Sequence, residues 1–300
     1  MEAVSQLEDM QIFVTTVDAQ SFTAAADRLG LSKQLVSRRI MALEDRLGAR
    51  LLIRTTRRLS VTDTGRGFYE RALKILQDVD EAEQLVANQN AAPRGTLRLS
   101  APMSFGTLHL GPAIARFMAT WPEVTIELDL SDRFIDVVGE GYDMAVRIGQ
   151  LGDSSLIARA IAPTQLLVCA SPDYLARRGR PQVLGDLKRH DCLLYGHSRS
   201  VEWPFLDNGR PLSLPITGRL RANNGELARE AAIAGLGLAL LPTFIVGDAL
   251  RAGTLVSVLD EHAPPPLTIY AVYPQHRQQS RTVKVFTEFL RNTFGRTSFS

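Results

Sequence analysis

The chain has 300 residues, 45% of them hydrophobic and 22% charged, with a net charge of +2, which is enough sequence for two or three domains that each bury a core. This composition excludes a disordered or low-complexity protein, and two cysteines, Cys169 and Cys192, exclude a disulfide framework. No run approaches the roughly 18 apolar residues of a membrane span. The start, MEAVSQLEDMQ, lacks the basic-then-apolar layout of a secretory signal, so the expected compartment is the cytoplasm, with no membrane partner.

The near-neutral total hides an uneven distribution. From Arg28 to Arg58 stand nine basic residues against two acidic ones, Glu44 and Asp45. Such a stripe is either a solvated helical face or the footprint of a nucleic-acid site, and the spacing of the apolar residues around it decides for the second.

A first helix is predicted from Ser5 to Asp18, where Leu7, Met10, Val14 and Val17 recur at helical spacing. Ser21 stands at an N-cap position before a short helix whose inner face is Phe22, Ala25, Ala26 and Leu29, and Gly30 ends it. Ser32 then caps a third helix with Val36, Ile40, Leu43 and Leu47 on one stripe and Gly48 as its stop. Two helices joined by a tight Gly-containing turn make a helix-turn-helix. The alanines at 24–26 let the second helix cross close to the third. With the stripe facing inward, Gln34, Arg38 and Met41 fall on the opposite face, Ser37 on its flank and Lys33 in the first turn. These side chains are free to enter a major groove, where Arg or Lys reads guanine and Gln reads adenine. Thr23 and Ser32, near helix N-termini, are candidate phosphate contacts, with capping the alternative for Ser32.

Next comes RLLIRTTRRLSVTDTG, apolar and β-branched residues around a basic cluster, which reads as a two-stranded wing. Arg57 and Arg58 are the candidates to rest on DNA backbone or reach a minor groove, and Arg54 is the pairing residue within the wing. The stretch FTAAADRLGLSKQLVSRRIMALEDRLGARLLIRTTRRLSVTDTG closely resembles the winged helix-turn-helix of LysR-type transcriptional regulators. The resemblance implies that Lys33, Gln34, Ser37 and Arg38 face base edges or phosphates and that Arg57 lies at the wing tip. Many members carry Gln-Pro or a similar pair where this chain has Lys33 and Gln34, so the operator sequence does not carry over.

Thr62, Asp63 and Thr64 offer caps for a long helix reaching about Asn90, in which Phe68, Ala72, Ile75, Val79, Ala82 and Val86 step as an a/d seam. Such a seam packs either on the chain's own C-terminal domain or on a second chain, and its length favours a homodimer through residues 68–86. LysR-type proteins use this helix as a dimer linker. A Pro/Gly hinge, NAAPRG, follows.

From Thr96 on, short apolar strands alternate with helical stretches: TLRLSAP, VTIELDLS and YDMAVRIG as strands, LGPAIARFMATWP and RFIDVVGEG as helices. TQLLVCASPDYLARRG opens a second such unit, LTIYAVYP returns to the first, and a final helix from Arg281 to Phe294 has Val283, Val285 and Phe289 to bury. The landmarks DMAVRIG, LVCASPDYL and GLGLALLP resemble the LysR effector-binding domain, which is similar to periplasmic binding proteins, while residues 195–222 match least.

The expected fold is therefore α/β with an N-terminal all-α winged helix-turn-helix and a two-lobed α/β effector domain. Its divisions are a DNA-binding domain at 1–62, a linker helix at 63–91, a hinge at 92–95, lobe I at 96–163 and 267–300, and lobe II at 164–266. Ligands favour the carboxyl ends of strands in such folds. The candidate effector residues are Pro102, Met103, Ser104 and Phe105 at one helix start, Asn223 beside the Asn224 cap at another, and Arg133 and Arg147 as cations. The resemblance implies a small, often anionic inducer in this cleft and a tetramer built from dimers, with operator DNA as partner and RNA polymerase as a further candidate. Capping alone is the alternative for Ser104 and Asn224, and pairing with Asp143 or another surface acid the alternative for Arg147. The rival functions are an α/β enzyme and a constitutive architectural DNA binder. No G-x-S-x-G, P-loop or H-E-x-x-H occurs, and GLG at 235–237 lacks a third glycine at dinucleotide spacing. His190, Cys192, Cys169 and His197 do not make a zinc spacing, so no catalysis, metal or cofactor is expected.

Overall fold

The computed structural model describes residues 2–54, 59–87, 92–152, 154–196, 200–295 and 299. The chain divides into two units, Met1–Ala91 and Ala92–Ser300.

In the first unit, α1 (Glu2–Ala19), α2 (Phe22–Leu29) and α3 (Lys33–Leu47) surround a small core of Ile12, Phe13, Ala25, Ala26, Val36, Ile40 and Leu43. Ser21 and Ser32 accept hydrogen bonds from the amides of Ala24 and Leu35, and Gly30 and Gly48 stop their helices in the left-handed conformation, at φ 66° and 65°. The inward face of α1 is broader than its spacing suggests, since Ile12, Phe13 and Thr16 are buried beside Val14. Leu47 departs from the expected stripe and is 43% exposed. Glu44 takes the inner position one turn earlier, and the chain leaves α3 at Gly48 before Leu47 can be covered.

Strands β1 (Leu52–Arg54) and β2 (Leu59–Val61) pair antiparallel, with Leu52 opposite Val61. Thr62 caps α4 (Asp63–Ala87) through its hydroxyl, which accepts the Gly65 amide. The first turns of α4 belong to this unit: the Phe68 and Phe13 rings meet edge-on at 5.4 Å, Ala72 is buried, and Tyr69 Oη donates to Asp18 Oδ1 at 2.6 Å. Phe68 and Ala72 are therefore already engaged within the chain. Ile75, by contrast, is 39% exposed, Val79 is half-buried and Ala82 exposed. The side chain of Val86 lies outside the described residues.

The second unit holds two five-stranded sheets. The first runs β4 (Val124–Leu130), β3 (Gly95–Ala101), β5 (Met144–Ile148), β14 (Leu267–Pro274), β6 (Leu156–Thr164), with β3 parallel to both neighbours and β14 antiparallel to both of its own. The second runs β11 (Leu220–Ala222), β8 (Cys192–Tyr195), β12 (Leu238–Pro242), β7 (Leu166–Ala170), β13 (Val256–Val258), again mixed. The chain passes between the sheets at Thr164–Gln165 and returns before Leu267, and Thr243 ties the crossover by accepting the Gln165 amide. Helix α6 (Gly111–Thr120), entered through the short α5 (Met103–Phe105) and a π turn, and α10 (Arg281–Phe294) cover one face of the first sheet. In α10, Phe286, Leu290 and Phe294 are buried with Val283, while Val285 and Phe289 are half-buried.

Two features differ from expectation. RFIDVVGEG forms no helix, because its own carboxylates hold the backbone in turns. Asp136 Oδ1 accepts the amides of Val138 and Gly139, and Glu140 Oε1 reaches back to the Asp136 amide at 3.0 Å. Residues 200–217, weakly readable in sequence, form the hairpin of β9 (Ser200–Asp207) and β10 (Arg210–Thr217), turned by Asn208 and Gly209 at φ 49° and 77°. Asn-Gly is a strong two-residue hairpin signal and was there to be read.

Candidate functional site

On α3 the nominated side chains divide by what holds them. Lys33, Gln34, Arg38 and Met41 are exposed, and Ser37 is half-buried on their flank. Thr23 is exposed in the first turn of α2, and the Ser32 hydroxyl is occupied by its cap to the Leu35 amide. Lys33 and Arg38 make no ion pair with the described residues, whereas three other basic residues of the stripe are tied into the fold. Arg39 binds Glu8 at 2.7 Å and Asp9 at 2.8 Å, Arg46 binds Asp9 at 3.2 Å, and Arg50 binds Glu44 at 3.0 Å. The positive charge of the stripe is thus sorted: Arg39 and Arg46 face α1, Arg50 binds Glu44, and Lys33 and Arg38, in no ion pair among the described residues, face out. Arg57 and Arg58, with Thr55 and Thr56, lie outside the described residues.

Glu44 is a residue that sequence reading counted only as charge. Its buried carboxylate accepts the amides of Leu51 and Leu52 at 2.8 and 3.0 Å through Oε1 and Arg50 through Oε2. Burial alone would raise its pKa, but the Leu52 and Leu51 amides and the Arg50 guanidinium outweigh burial and hold it below the ordinary carboxylate value. Glu44 thereby joins α3 to the start of β1.

In the second unit, the helix start after β3 and the start of α8 (Gly225–Ile233) face each other from the two sheets. Ser104, only 1% exposed, donates to Glu226 Oε2 at 3.0 Å, and Asn224 Nδ2 donates to the same oxygen at 2.8 Å. Asn224 also caps α8 by accepting the Leu227 amide, and Asn223 is exposed beside it. Half-buried Met103 donates its amide to Asp132 Oδ1, whose other oxygen accepts Tyr195 Oη at 2.8 Å from the second sheet. Pro102, half-buried, precedes this cluster. Asp132, Tyr195 and Glu226 were not nominated from sequence, since they meet only in the fold.

Two expectations are corrected, and one alternative is removed. Phe105 is a core residue, fully buried with its ring 5.5 Å from both Phe244 and Phe294, so it offers no surface to a ligand. Arg133 is held on the surface by a bidentate pair with Glu140 at 2.6 and 3.2 Å. Arg147 does not pair with Asp143, which is taken by buried Arg277 at 2.9 Å. Arg147 is half-buried, its guanidinium carbon 5.8 Å from the Phe134 ring, and burial together with nearby Arg133 lowers its pKa.

The two cysteines cannot meet. Cys169 on β7 lies opposite Ala239 and packs in the core shared with the first sheet, while Cys192 on β8 lies opposite Leu238 and packs with Tyr174, Leu187 and Trp203. Successive residues of β12 point to opposite faces, and two strand spacings put the backbones about 10 Å apart, beyond disulfide reach. Burial pushes both thiols up to about 12. Hydrogen peroxide is expected to leave the folded protein with two free thiols, counted by alkylation and mass spectrometry. A Cys169–Cys192 cross-linked peptide from folded protein would contradict this placement.

Comparison with known proteins bears on both units. Residues 7–66 match the family described as bacterial regulatory helix-turn-helix protein, lysR family, and residues 90–295 match the LysR substrate binding domain. An uncharacterized HTH-type transcriptional regulator of Haemophilus influenzae is 38% identical over 91% of this chain and 96% of its own. The HTH-type transcriptional regulator DmlR of Escherichia coli is 35% identical, covering 98% of this chain and 96% of its own. Among solved structures, CrgA, a LysR-type transcriptional regulator from Neisseria meningitidis, aligns with TM-score 0.62 at 33% identity over 95% of this chain and 97% of its own. The full-length Vibrio cholerae virulence activator AphB aligns at 0.60 and 30%, covering 95% and 98%.

Proposed function

Since this chain belongs to the LysR family of transcriptional regulators, we propose that it binds a specific operator through α3 and the wing and that a small molecule in the second unit controls this binding. The observation that carries the DNA reading is the sorting of charge on α3: Arg39 and Arg46 are bound to acids of α1, while Lys33, Gln34, Arg38 and Met41 stand exposed on one face. Lys33, Gln34 and Arg38 read base edges, Ser37 and Met41 flank them, and Thr23 and Ser32 approach phosphates. Arg57 and Arg58 supply the wing contact. The effector site comprises residues 102–104, Asn223 and Arg147, with Asp132, Tyr195 and Glu226 between the sheets. The protein acts as a homodimer, assembled further into a tetramer, in the cytoplasm, and engages RNA polymerase rather than transforming its ligand.

Titration of Arg38→Ala on specific and scrambled duplexes tests the DNA reading. The loss at the preferred site is expected to be about 1–3 kcal/mol, with non-specific binding less affected. Arg57→Ala weakens all sequences and flattens the salt dependence instead. Equal losses on both duplexes for Arg38→Ala would put another residue in the groove.

A further inference from the structure

Each face of the second sheet carries its own core. On β8, Leu193 and Tyr195 turn toward the core shared with the first sheet, whereas Cys192 and Leu194 turn the other way, into a core with Leu187, Trp203, Phe205 and Ile216. The β9–β10 hairpin lies over that second face. Its register sets Val201, Trp203 and Phe205 of β9 beside Ile216, Leu214 and Leu212 of β10 on one side. Trp203 and Phe205 are 2% exposed, yet Leu212 and Leu214 are only half-buried. β9 thus covers the sheet, and β10 overhangs it. The 3-10 turn Leu184–Arg189 meets this overhang with Leu184 and Leu187, and Val183, 56% exposed, stands at its start. Between turn and strand is a groove of about 520 Å³, within the range of small-molecule sites.

The polar part of the lining is largely engaged. Asp207 Oδ1 accepts Asn208 Nδ2 at 3.1 Å, and His262 Nδ1 bonds the Leu206 carbonyl at 2.9 Å. Lys188, also in the lining, makes no ion pair among the described residues. Asp186, two residues before it, holds Arg189 and accepts the amides of Gln182 and Val183.

An open sheet edge usually invites a protein strand. The free edge of β10 does not suit one. β10 pairs only with β9, and the register sets Pro211, Ser213 and Pro215 opposite Leu206, Pro204 and Glu202. Proline has no N–H to give a ladder, so these are the positions that face away from the partner strand, and two of the three donors at the free edge are missing. An apolar groove with one unmatched cation fits a different occupant.

We propose that the groove between β10 and the Leu184–Arg189 turn binds a small amphipathic carboxylate, with its apolar body on Leu184, Leu187, Leu212 and Leu214 and its carboxylate on Lys188. This site lies on the face of the second sheet opposite to Tyr195 and the cluster between the sheets, and it stands whether or not a molecule in that cluster controls DNA binding.

Full-length crystals soaked with ω-bromodecanoate locate it. The bromine anomalous peak is expected in the groove, among the four leucines. Equilibrium dialysis of the full-length protein measures the strength of binding, and octanoate is expected to bind about tenfold more weakly than decanoate, the loss of two buried CH₂ groups. Lys188→Met weakens decanoate about threefold and leaves decanol unchanged. Leu214→Trp fills the groove and abolishes binding of both, with folding checked by circular dichroism. A bromine peak confined to the space between the sheets, equal losses of decanoate and decanol in Lys188→Met, or decanoate binding that survives in folded Leu214→Trp would overturn the site. Crystals in which side chains of a neighbouring copy fill the groove, with no decanoate bound in solution, would overturn it in favour of a protein partner.

Discussion

Replacing Glu44 by alanine is expected to destabilise the first unit by about 2–5 kcal/mol, because two buried amides, those of Leu51 and Leu52, lose their acceptor at once. For a domain whose stability is of order 5–15 kcal/mol this is a large share. Arg50, largely exposed at the side chain, is released to water and adds little to the loss. The consequence reaches function, since the strand that Glu44 anchors leads into the wing. The same carboxylate gives the unit a pH dependence whose sign follows from its lowered pKa. Its stabilisation is complete above the ordinary carboxylate pKa and is lost as pH falls through the lower value of the folded state. Glu44→Gln, unable to ionise, should lose that part of the acid sensitivity. Hydrogen exchange of residues 33–61 in the full-length protein measures both effects. Wild-type protection in Glu44→Ala would mean that another group satisfies these amides.

What was legible in the sequence was local chemistry. Ser21, Ser32, Gly30 and Gly48 mark helix ends through bonds to residues three or four positions away, so the two helices of the motif could be bounded by inspection. The strands of the second unit were legible for a related reason, since runs such as LLVCA and LALLP carry their burial in their own composition. Failures came where a distant group or a competing side chain decides. Leu47 is apolar and in phase, yet Glu44 wins the inner position through amides seven and eight residues away. Residues 133–140 have helical spacing, but Asp136 and Glu140 bond the backbone into turns. At the candidate site, Phe105 follows a strand that could end at a cleft or in a core, and Phe244 and Phe294, far along the chain, make it core. The partners of Ser104 and Asp132, Glu226 and Tyr195, are likewise remote in sequence. Composition carries no trace of such pairings.

Replacing Ile75 and Val79 together by glutamate is expected to turn a dimer into monomers. Within the first unit α4 spends Phe68 on Phe13 of α1 and buries Ala72, while the next seam residues, Ile75 at 39% exposure and half-buried Val79, continue the stripe with less cover among the described residues. In a dimer paired through this stripe, the double change sets four carboxylates in one seam, where desolvation and like-charge repulsion act together. Monomers then meet each operator half-site separately. Losing that linkage should cost at least about a hundredfold in operator affinity, the lower end of what joining two binding modules supplies. The competing account, in which α4 packs on its own chain, predicts a different signature: partial unfolding at unchanged mass. Sedimentation velocity and circular dichroism on the full-length variant separate the two. A halved mass with preserved ellipticity places the seam between chains. An unchanged sedimentation coefficient places the dimer contact elsewhere. Ile75→Leu with Val79→Leu, which keeps the seam apolar, should remain dimeric and bind the operator as the wild type does, so that charge in the seam, and not altered packing within the helix, accounts for the loss.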